Sequence, residues 1–467
     1  MIPNRLGVYL PARYVVEQDL LVIWALGLVV GGFVALLAKA PEYPAGLSGR
    51  AVAALVFGTV PLAWAGSHLV FAAYPLTADE WWATAEGANY GQGLPYAPMA
   101  AAWRGFAVAM TPSYVVTSTG QTLWGSMYLP VNGLLQTLLP WGVTSAVLTG
   151  AGLGLVWLAA RRIEPSRPLF GAVALLLLVG SSQLVVTGMT PYAMTAHLAL
   201  NLLWLVLVLH PAKAAQAGAA LVAFAAIGLH QPVFFPLFAA PFVLGFWLRR
   251  EWGRALWHSA AVALALLFWS NWLALGMGWM GGTLPTGDAA GWSQGPLGIA
   301  LTMLARVRLS DAGVMAMNLL RLAAWNHPLL LVLALTGFTA AWRVGGTMRA
   351  LVAGVLLTLC VVAMVSPQQG HGWGYRYLHG LLGNLALIGA FGFLRIFDAV
   401  PQAEGRRFWS AFLGVTALSV LVLLPLRMWQ AHRFVSPYVA ANAAVAQTAA
   451  DFVVVTDDRH AFTTDLV

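Results

Sequence analysis

Runs of about twenty apolar residues recur along the whole chain, each long enough to cross a ~30 Å hydrocarbon layer. In lipid the backbone must satisfy its own hydrogen bonds, so such runs fold as helices. Short alternating segments of the membrane β-barrel kind are absent. Composition agrees: 60% of the 467 residues are hydrophobic and only 9% are charged, against roughly 25% charged in soluble domains. The expected fold is an all-α membrane protein, a polytopic bundle of about twelve spans. They lie near 19–38, 51–73, 141–160, 169–187, 195–210, 214–230, 233–248, 255–279, 326–342, 350–366, 377–397 and 409–426.

Basic residues orient the bundle. Lys39 and Arg50 share one short loop, and Arg161, Arg162 and Arg167 another. Lys213, then Arg249, Arg250 and Arg254, then Arg343 and Arg349, then Arg395, Arg406 and Arg407 follow at every second loop. The positive-inside tendency makes these loops cytoplasmic. The opposite side then carries two long segments, 75–140 and 280–325, a Gly-rich loop 366–376, and the tail. One strain stays in this topology. It puts Arg5 and Arg13 outside, so the first run is expected to be either a span or a re-entrant or interfacial segment. The net charge of +8 is accounted for by basic loops and calls for no nucleic acid. The lone cysteine, Cys360, forms no intrachain disulfide. No removable signal peptide is read at the N-terminus. Residues 1–426 are expected to form the membrane bundle, including the outer loop 75–140. The tail 427–467 holds a strand-like DFVVVT run that could open a small soluble domain.

The sixteen acids narrow the chemistry. Glu17 and Asp19 apart, the outer side before the tail has Asp79, Glu80, Glu86, Asp288 and Asp311. None is expected in the middle of a span, which argues against an ion-driven pump. Asp79 and Glu80 directly follow a span, and Trp81 and Trp82 then turn the chain along the interface. An acid pair at a span mouth can act as a general base or position a divalent cation. It equally fits two acids in a wet loop holding a helix end.

A second outer feature is SPQQGHGWGYRYLHGLLGN, residues 366–384. Three glycines are expected to loosen this backbone, and His371, Tyr375 and Arg376 gather there. A guanidinium at a span mouth can hold a phosphate bidentately, or simply anchor a helix at the interface. His230 and Gln231, His197 and Asn201, Arg306, Arg308 and Arg321, and Arg104 are weaker polar groups on this side, each of which also reads as a helix anchor or a satisfied contact; of these His230, Gln231 and Arg104 are the candidate substrate-binding residues. No internal repeat, nucleotide-binding glycine motif or zinc motif is present.

The pattern resembles the GT-C superfamily of polyprenyl-phosphate-dependent glycosyltransferases, in particular its protein mannosyltransferase and aminoarabinose transferase branches. The shared features are a span running into Asp79–Glu80, a long outer loop of interfacial helices, a bundle with alternating short loops, and Tyr375–Arg376–Tyr377 near the end. The resemblance covers roughly residues 51–426. It implies inverting transfer of a sugar from a polyprenyl-phosphate donor to an acceptor hydroxyl on a lipid, glycan or protein. The implied setting is a bacterial inner membrane, with the site facing the periplasm. By this resemblance Asp79 is the general base, and Glu80 orients it or takes part in acceptor or cation binding. Arg376 stabilises the phosphate, with His371 or Tyr375 as helpers. Residues 188–197 lack the further acid that relatives often carry there, so that either His197 substitutes or the site does without it. No cofactor is firmly implied, a divalent cation being optional.

The competing reading is a transporter or flippase for a lipid or lipid-linked sugar. It shares the spans and the basic outer cavity but calls for ionisable groups inside spans or internal symmetry. A non-catalytic scaffold is the third reading, and it leaves the long outer loop unexplained.

Overall fold

A computed structural model of the chain describes residues 10–37, 39–106, 114–284, 310–449 and 453. Arg5, Asp288, Arg306, Arg308 and, but for Val453, the DFVVVT run lie outside them. By length and composition six helices can cross a membrane, or eight if each of two bent pairs makes one span. Four shorter apolar helices, Pro168–Val179, Ala193–Val208, Lys213–Ile227 and Phe234–Leu248, fill the remaining expected positions. Large apolar side chains such as Leu21, Leu28, Phe57, Leu221, Leu264 and Leu335 face outward, as lipid-facing residues of an integral membrane protein do.

The basic loops gather at one end of the bundle. Arg167 pairs with Asp398 at 2.6 Å, and Arg407 with Glu42 at 3.4 Å. Arg254 donates to the Val208 carbonyl at 2.6 Å. These contacts join the loops 39–50, 161–167 and 395–407 to one another, and tie the loop 249–254 to the end of the helix that leads into Lys213. The first helical segment begins at the other end, where Tyr14 bonds His371, and runs to the basic end, where Phe33 meets Phe408. It is therefore a through-going helix (Ala12–Phe33 passes as a span), with a π-helical turn at Val15–Asp19.

The centre is packed by helix Pro168–Val179, whose residues 170–179 are all buried, and by Leu382–Ala399. Helix Leu330–Val344 crosses the latter closely. A Cβ on Gly337 would fall on the Ile388 carbonyl, and one on Gly392 on the Leu333 carbonyl. Small residues at such a crossing let backbones approach where no hydrophobic effect drives helices together.

The outer loop 75–140 is more than interfacial helices. Helix Gly49–Leu69 opens at Ser48, whose hydroxyl accepts from Ala51. Beyond it Ala72 and Ala73 take left-handed φ of 54° and 53°, which turns the chain into helix Ala78–Gly91. That helix packs on Val131–Thr137, where Gly133 leaves room for Glu86. Between them lies a small antiparallel sheet, β1 (Ala97–Pro98), β2 (Val115–Thr117) and β3 (Leu123–Ser126), with β3 central. Trp81 and Trp82 pack on Trp124 of β3. At the far end, helix Gln402–Leu418 continues through a π turn into Leu424–Ala446 as one 45-residue helix. Residues 427–446 thus extend the last span.

Candidate active site

Thr77-Ala78-Asp79-Glu80 is a capping box. Glu80 Oε2 accepts from the Thr77 backbone N–H at 3.0 Å and from its hydroxyl at 3.1 Å. That hydroxyl also lies 2.9 Å from the Tyr192 hydroxyl. The arrangement satisfies backbone donors at the helix start and turns Glu80 inward, 1% exposed. Burial pushes its carboxyl up to about 8, against the lowering effect of the Thr77 bonds. Glu80 is thus neutral at pH 7 and does not line the cleft beside it.

Asp79, one residue earlier, faces the cleft. Arg376 Nη1 donates to its Oδ2 at 2.8 Å, and the Tyr128 hydroxyl donates to its Oδ1 at 2.5 Å. Burial raises the Asp79 carboxyl, but Arg376, His230 and Tyr128 overcome it and hold the group below its ordinary value. His230 stacks on Tyr128 with ring centroids 4.0 Å apart. Burial lowers its own pKa, so it is the neutral imidazole at pH 7.

The Gly-rich loop that delivers Arg376 is pinned, not loose as its glycines suggest. Gln183 brackets Tyr375, accepting from its N–H at 3.1 Å and donating to its carbonyl at 2.9 Å. Gln369 accepts from the Arg376 N–H at 2.8 Å and donates to the Gly374 carbonyl at 3.2 Å. Arg321 donates to the carbonyls of Gly372 (3.0 Å) and Gly374 (3.3 Å). Gly374 has φ +85°, and a Cβ there would strike Gln183. Its freedom is spent on one left-handed turn.

The cleft is open to the outside, with about 600 Å³ of space among its lining side chains, open solvent included. Asp79, Arg376, His230 and Gln231 line it together. So do His197 and Asn201, together with Tyr192, Tyr377 and Thr358. His371 and Tyr375 do not line it. His371 is buried behind Arg376, bonding the Tyr14 hydroxyl at 2.8 Å through Nδ1 and accepting from Arg376 at 3.2 Å through its carbonyl. Burial, and then Arg321, hold its imidazole well below the usual range. The Tyr375 ring is wholly buried, with its hydroxyl 3.7 Å from the Met315 sulfur. Arg104 is exposed and bonds the Met99 carbonyl at 3.3 Å, away from the cleft. Among the described residues no group of three or more His, Cys, Asp or Glu could hold a metal ion. The donor set at Asp79 suits no resident divalent cation, because Arg376 and Tyr128 take both carboxylate oxygens.

Asp19 is a further correction. Asp19, at the start of the first expected span, is fully buried within the first helix, where no acid is expected. Arg427 meets it at 2.9 Å and Arg321 at 3.8 Å, and Trp325 Nε1 donates to it at 2.9 Å. The cluster lies outside the cleft lining.

No family model matches the sequence, and no curated protein does either. Solved structures do match in fold. The crystal structure of ArnT from Cupriavidus metallidurans bound to undecaprenyl phosphate aligns with TM-score 0.56 and 12% identity, over 90% of this chain and 85% of that one. The apo structure of the same protein aligns with TM-score 0.54 and 12% identity, over 89% and 84%.

Proposed function

We infer that this chain, an integral membrane protein with the GT-C fold, is a glycosyltransferase that moves a sugar from a polyprenyl-phosphate carrier to an acceptor hydroxyl. The observation that carries the reading is the Asp79–Arg376 pair at the mouth of a cleft. It sits on a fold shared with a protein whose crystal structure holds undecaprenyl phosphate.

The chemistry follows from the pair. The acceptor oxygen attacks the anomeric carbon while the carbon–oxygen bond to phosphate breaks, and the polyprenyl phosphate leaves with the bonding electrons. A single displacement inverts the sugar. Asp79 takes the acceptor proton. Arg376 stabilises the charge that grows on the leaving phosphate. A carboxylate held below its ordinary pKa is a poor base, so the resting pair must loosen. The phosphate competes for the guanidinium, which has five N–H donors. As Arg376 turns toward the phosphate, Asp79 loses its strongest charge partner and regains basicity. The base is armed only when the carrier is bound. The face opposite the basic loops, periplasmic in a bacterial inner membrane, is where this takes place.

One observation favours transport as a second reading: Asp19, Arg321 and Arg427 are ionisable and buried among the helices, as in many transporters. The cluster does not line the cleft, however, and its arginines also hold backbone carbonyls. The deciding experiment is sugar transfer from polyprenyl-phosphate donors by purified protein in lipid, for wild type and Asp79→Asn. The transferase reading expects transfer by the wild type and a loss of about 100-fold or more in a folded variant, the scale of a general base. A wild type that consumes no donor, while moving the lipid between leaflets, establishes transport instead.

A further inference from the structure

The inner end of the cleft has polar atoms that the fold itself leaves unmatched. Asn201 donates its amide to the Gly380 carbonyl at 2.9 Å. A carbonyl only accepts, so this bond sets the amide orientation and leaves Oδ1 as an acceptor. Asn201 Oδ1, both ring nitrogens of His197 and the Thr358 hydroxyl are buried without a hydrogen-bond partner. The three residues are 2%, 5% and 2% exposed, and all line the cleft. Unmatched buried polar groups are costly, and their convergence on one cavity marks a ligand's polar edge.

The chemistry of the set is specific. It offers one amide acceptor, one hydroxyl and one imidazole, and no charge. Phe234 and Tyr377 stack at 5.6 Å between centroids along the same cleft, an apolar platform of the kind that covers the C–H face of a sugar ring. Asp79 is the only acid among the described lining residues, and in the loaded state the proposed mechanism commits it to the acceptor proton. A cationic amino sugar therefore finds no carboxylate to pair with. Spacing completes the case. Arg376 and Gly380 lie four residues apart on the 3-10 helix Arg376–Leu381. At about 2 Å rise per residue this is about 8 Å, the scale of one sugar ring between a phosphate on Arg376 and hydroxyls on Asn201.

We propose that His197, Asn201 and Thr358 form the subsite for the donor's sugar, and that this sugar is an uncharged, hydroxyl-rich ring. The proposal rests on the transferase reading and adds the class of sugar.

The test is binding to wild type and to the double variant His197→Phe with Thr358→Val in lipid nanodiscs. The probes are polyprenyl phosphate, a polyprenyl-phosphate hexose, a polyprenyl-phosphate amino sugar and a neutral methyl hexoside. Both substitutions remove atoms that bond nothing in the protein, so the melting temperature holds or rises. The wild type should prefer the hexose carrier to the amino-sugar carrier by about 10-fold or more. The double variant should lose about 10-fold or more on the hexose carrier and bind sugarless polyprenyl phosphate as the wild type does. Equal hexose-carrier binding by the variant, or a wild-type preference for the amino sugar, overturns the proposal. Loss of the methyl hexoside alone assigns the subsite to an acceptor glycan and overturns the donor assignment. A wild type that binds no carrier sinks the transferase reading. If it still binds the hexoside in a His197- and Thr358-dependent way, the neutral-sugar subsite survives, and if it binds no sugar in any form, both fall.

Discussion

Asp79 and Arg376 stand 297 residues apart in the chain and form a 2.8 Å ion pair at the cleft mouth. Acid and cation each neutralise the other. The pairing makes the acid's basicity depend on what the cation is doing.

That dependence shows in pH–rate profiles. In the unliganded protein Arg376 helps hold Asp79 below its ordinary pKa, so the acid limb of kcat/KM should lie at low pH. On the proposed mechanism the carrier phosphate draws Arg376 away in the loaded state, and the limb of kcat should lie at higher pH. In Arg376→Gln, burial acts with less opposition and raises the Asp79 carboxyl. Its kcat/KM limb should move up toward the wild-type kcat limb. Coincident limbs in the wild type, or an Arg376→Gln limb at lower pH, contradict the substrate-armed base.

Adjacent acids should behave in opposite ways. Glu80 is neutral below about pH 8, and its Oε2 serves the capping box. A glutamine presents the same accepting oxygen without a charge. Glu80→Gln should therefore transfer sugar within about 2-fold of wild type at pH 7, where Asp79→Asn loses about 100-fold. The sign of the stability effect follows by linkage. The folded carboxyl binds its proton up to about pH 8, while the unfolded one releases it near 4.5. Wild-type stability therefore falls as pH rises between those values. Glu80→Gln has no such slope, so its melting temperature should exceed that of wild type at pH 9. Thermal unfolding in detergent at pH 6 and pH 9 reads this directly, and a variant less stable at pH 9 would count against a neutral Glu80.

Asp19 is predicted to be structural. Removing one partner from a buried ionic cluster leaves charge uncompensated and costs about 3–5 kcal/mol. Asp19→Asn should lower the melting temperature markedly, more than Glu17→Gln at the exposed Arg13–Glu17 pair, where such pairs contribute ~1 kcal/mol or less. Equal melting temperatures would deny the cluster that role.

The bundle and its two ends were legible because hydropathy and loop charge are local properties. The Asp79–Arg376 juxtaposition was anticipated only through family resemblance, since no local pattern joins residues so distant. Glu80 was readable in part: the helix-end alternative covers it, and Thr77-Ala78-Asp79-Glu80 is the capping-box pattern at a helix start, which assigns the second acid to the backbone. Tyr128 gave no signal in the outer loop. Gln183 gave a faint one, a polar residue inside an apolar run. Asp19 escaped because it falls at the edge of its hydropathy run, while its partners Arg321 and Arg427 come from the other end of the sequence. The Gly-rich loop misled for the same reason. Glycine content describes what a backbone can do alone, and Gln183, Gln369 and Arg321 decide what it does here.

Arg321 joins that hidden cluster to the site, and its role is testable as positioning. Its fork donates through Nε to Gly374 and through Nη2 to Gly372, two carbonyls just before Arg376. A lysine keeps the charge beside Asp19 but presents a single ammonium on a flexible stem. Arg321→Lys should thus stay folded while the loop loses one of the two bonds that Arg321 makes to it. Arg376 then sits less firmly against Asp79. The expected result is a donor KM raised by about 10-fold, with the acid limb of kcat/KM displaced upward in the same direction as in Arg376→Gln. A purely structural arginine would lower the melting temperature and the amount of active protein, but it would leave KM and the pH limb where they are. Steady-state kinetics across pH on the folded fraction separate the two, and an unmoved limb with unchanged KM would return Arg321 to the scaffold.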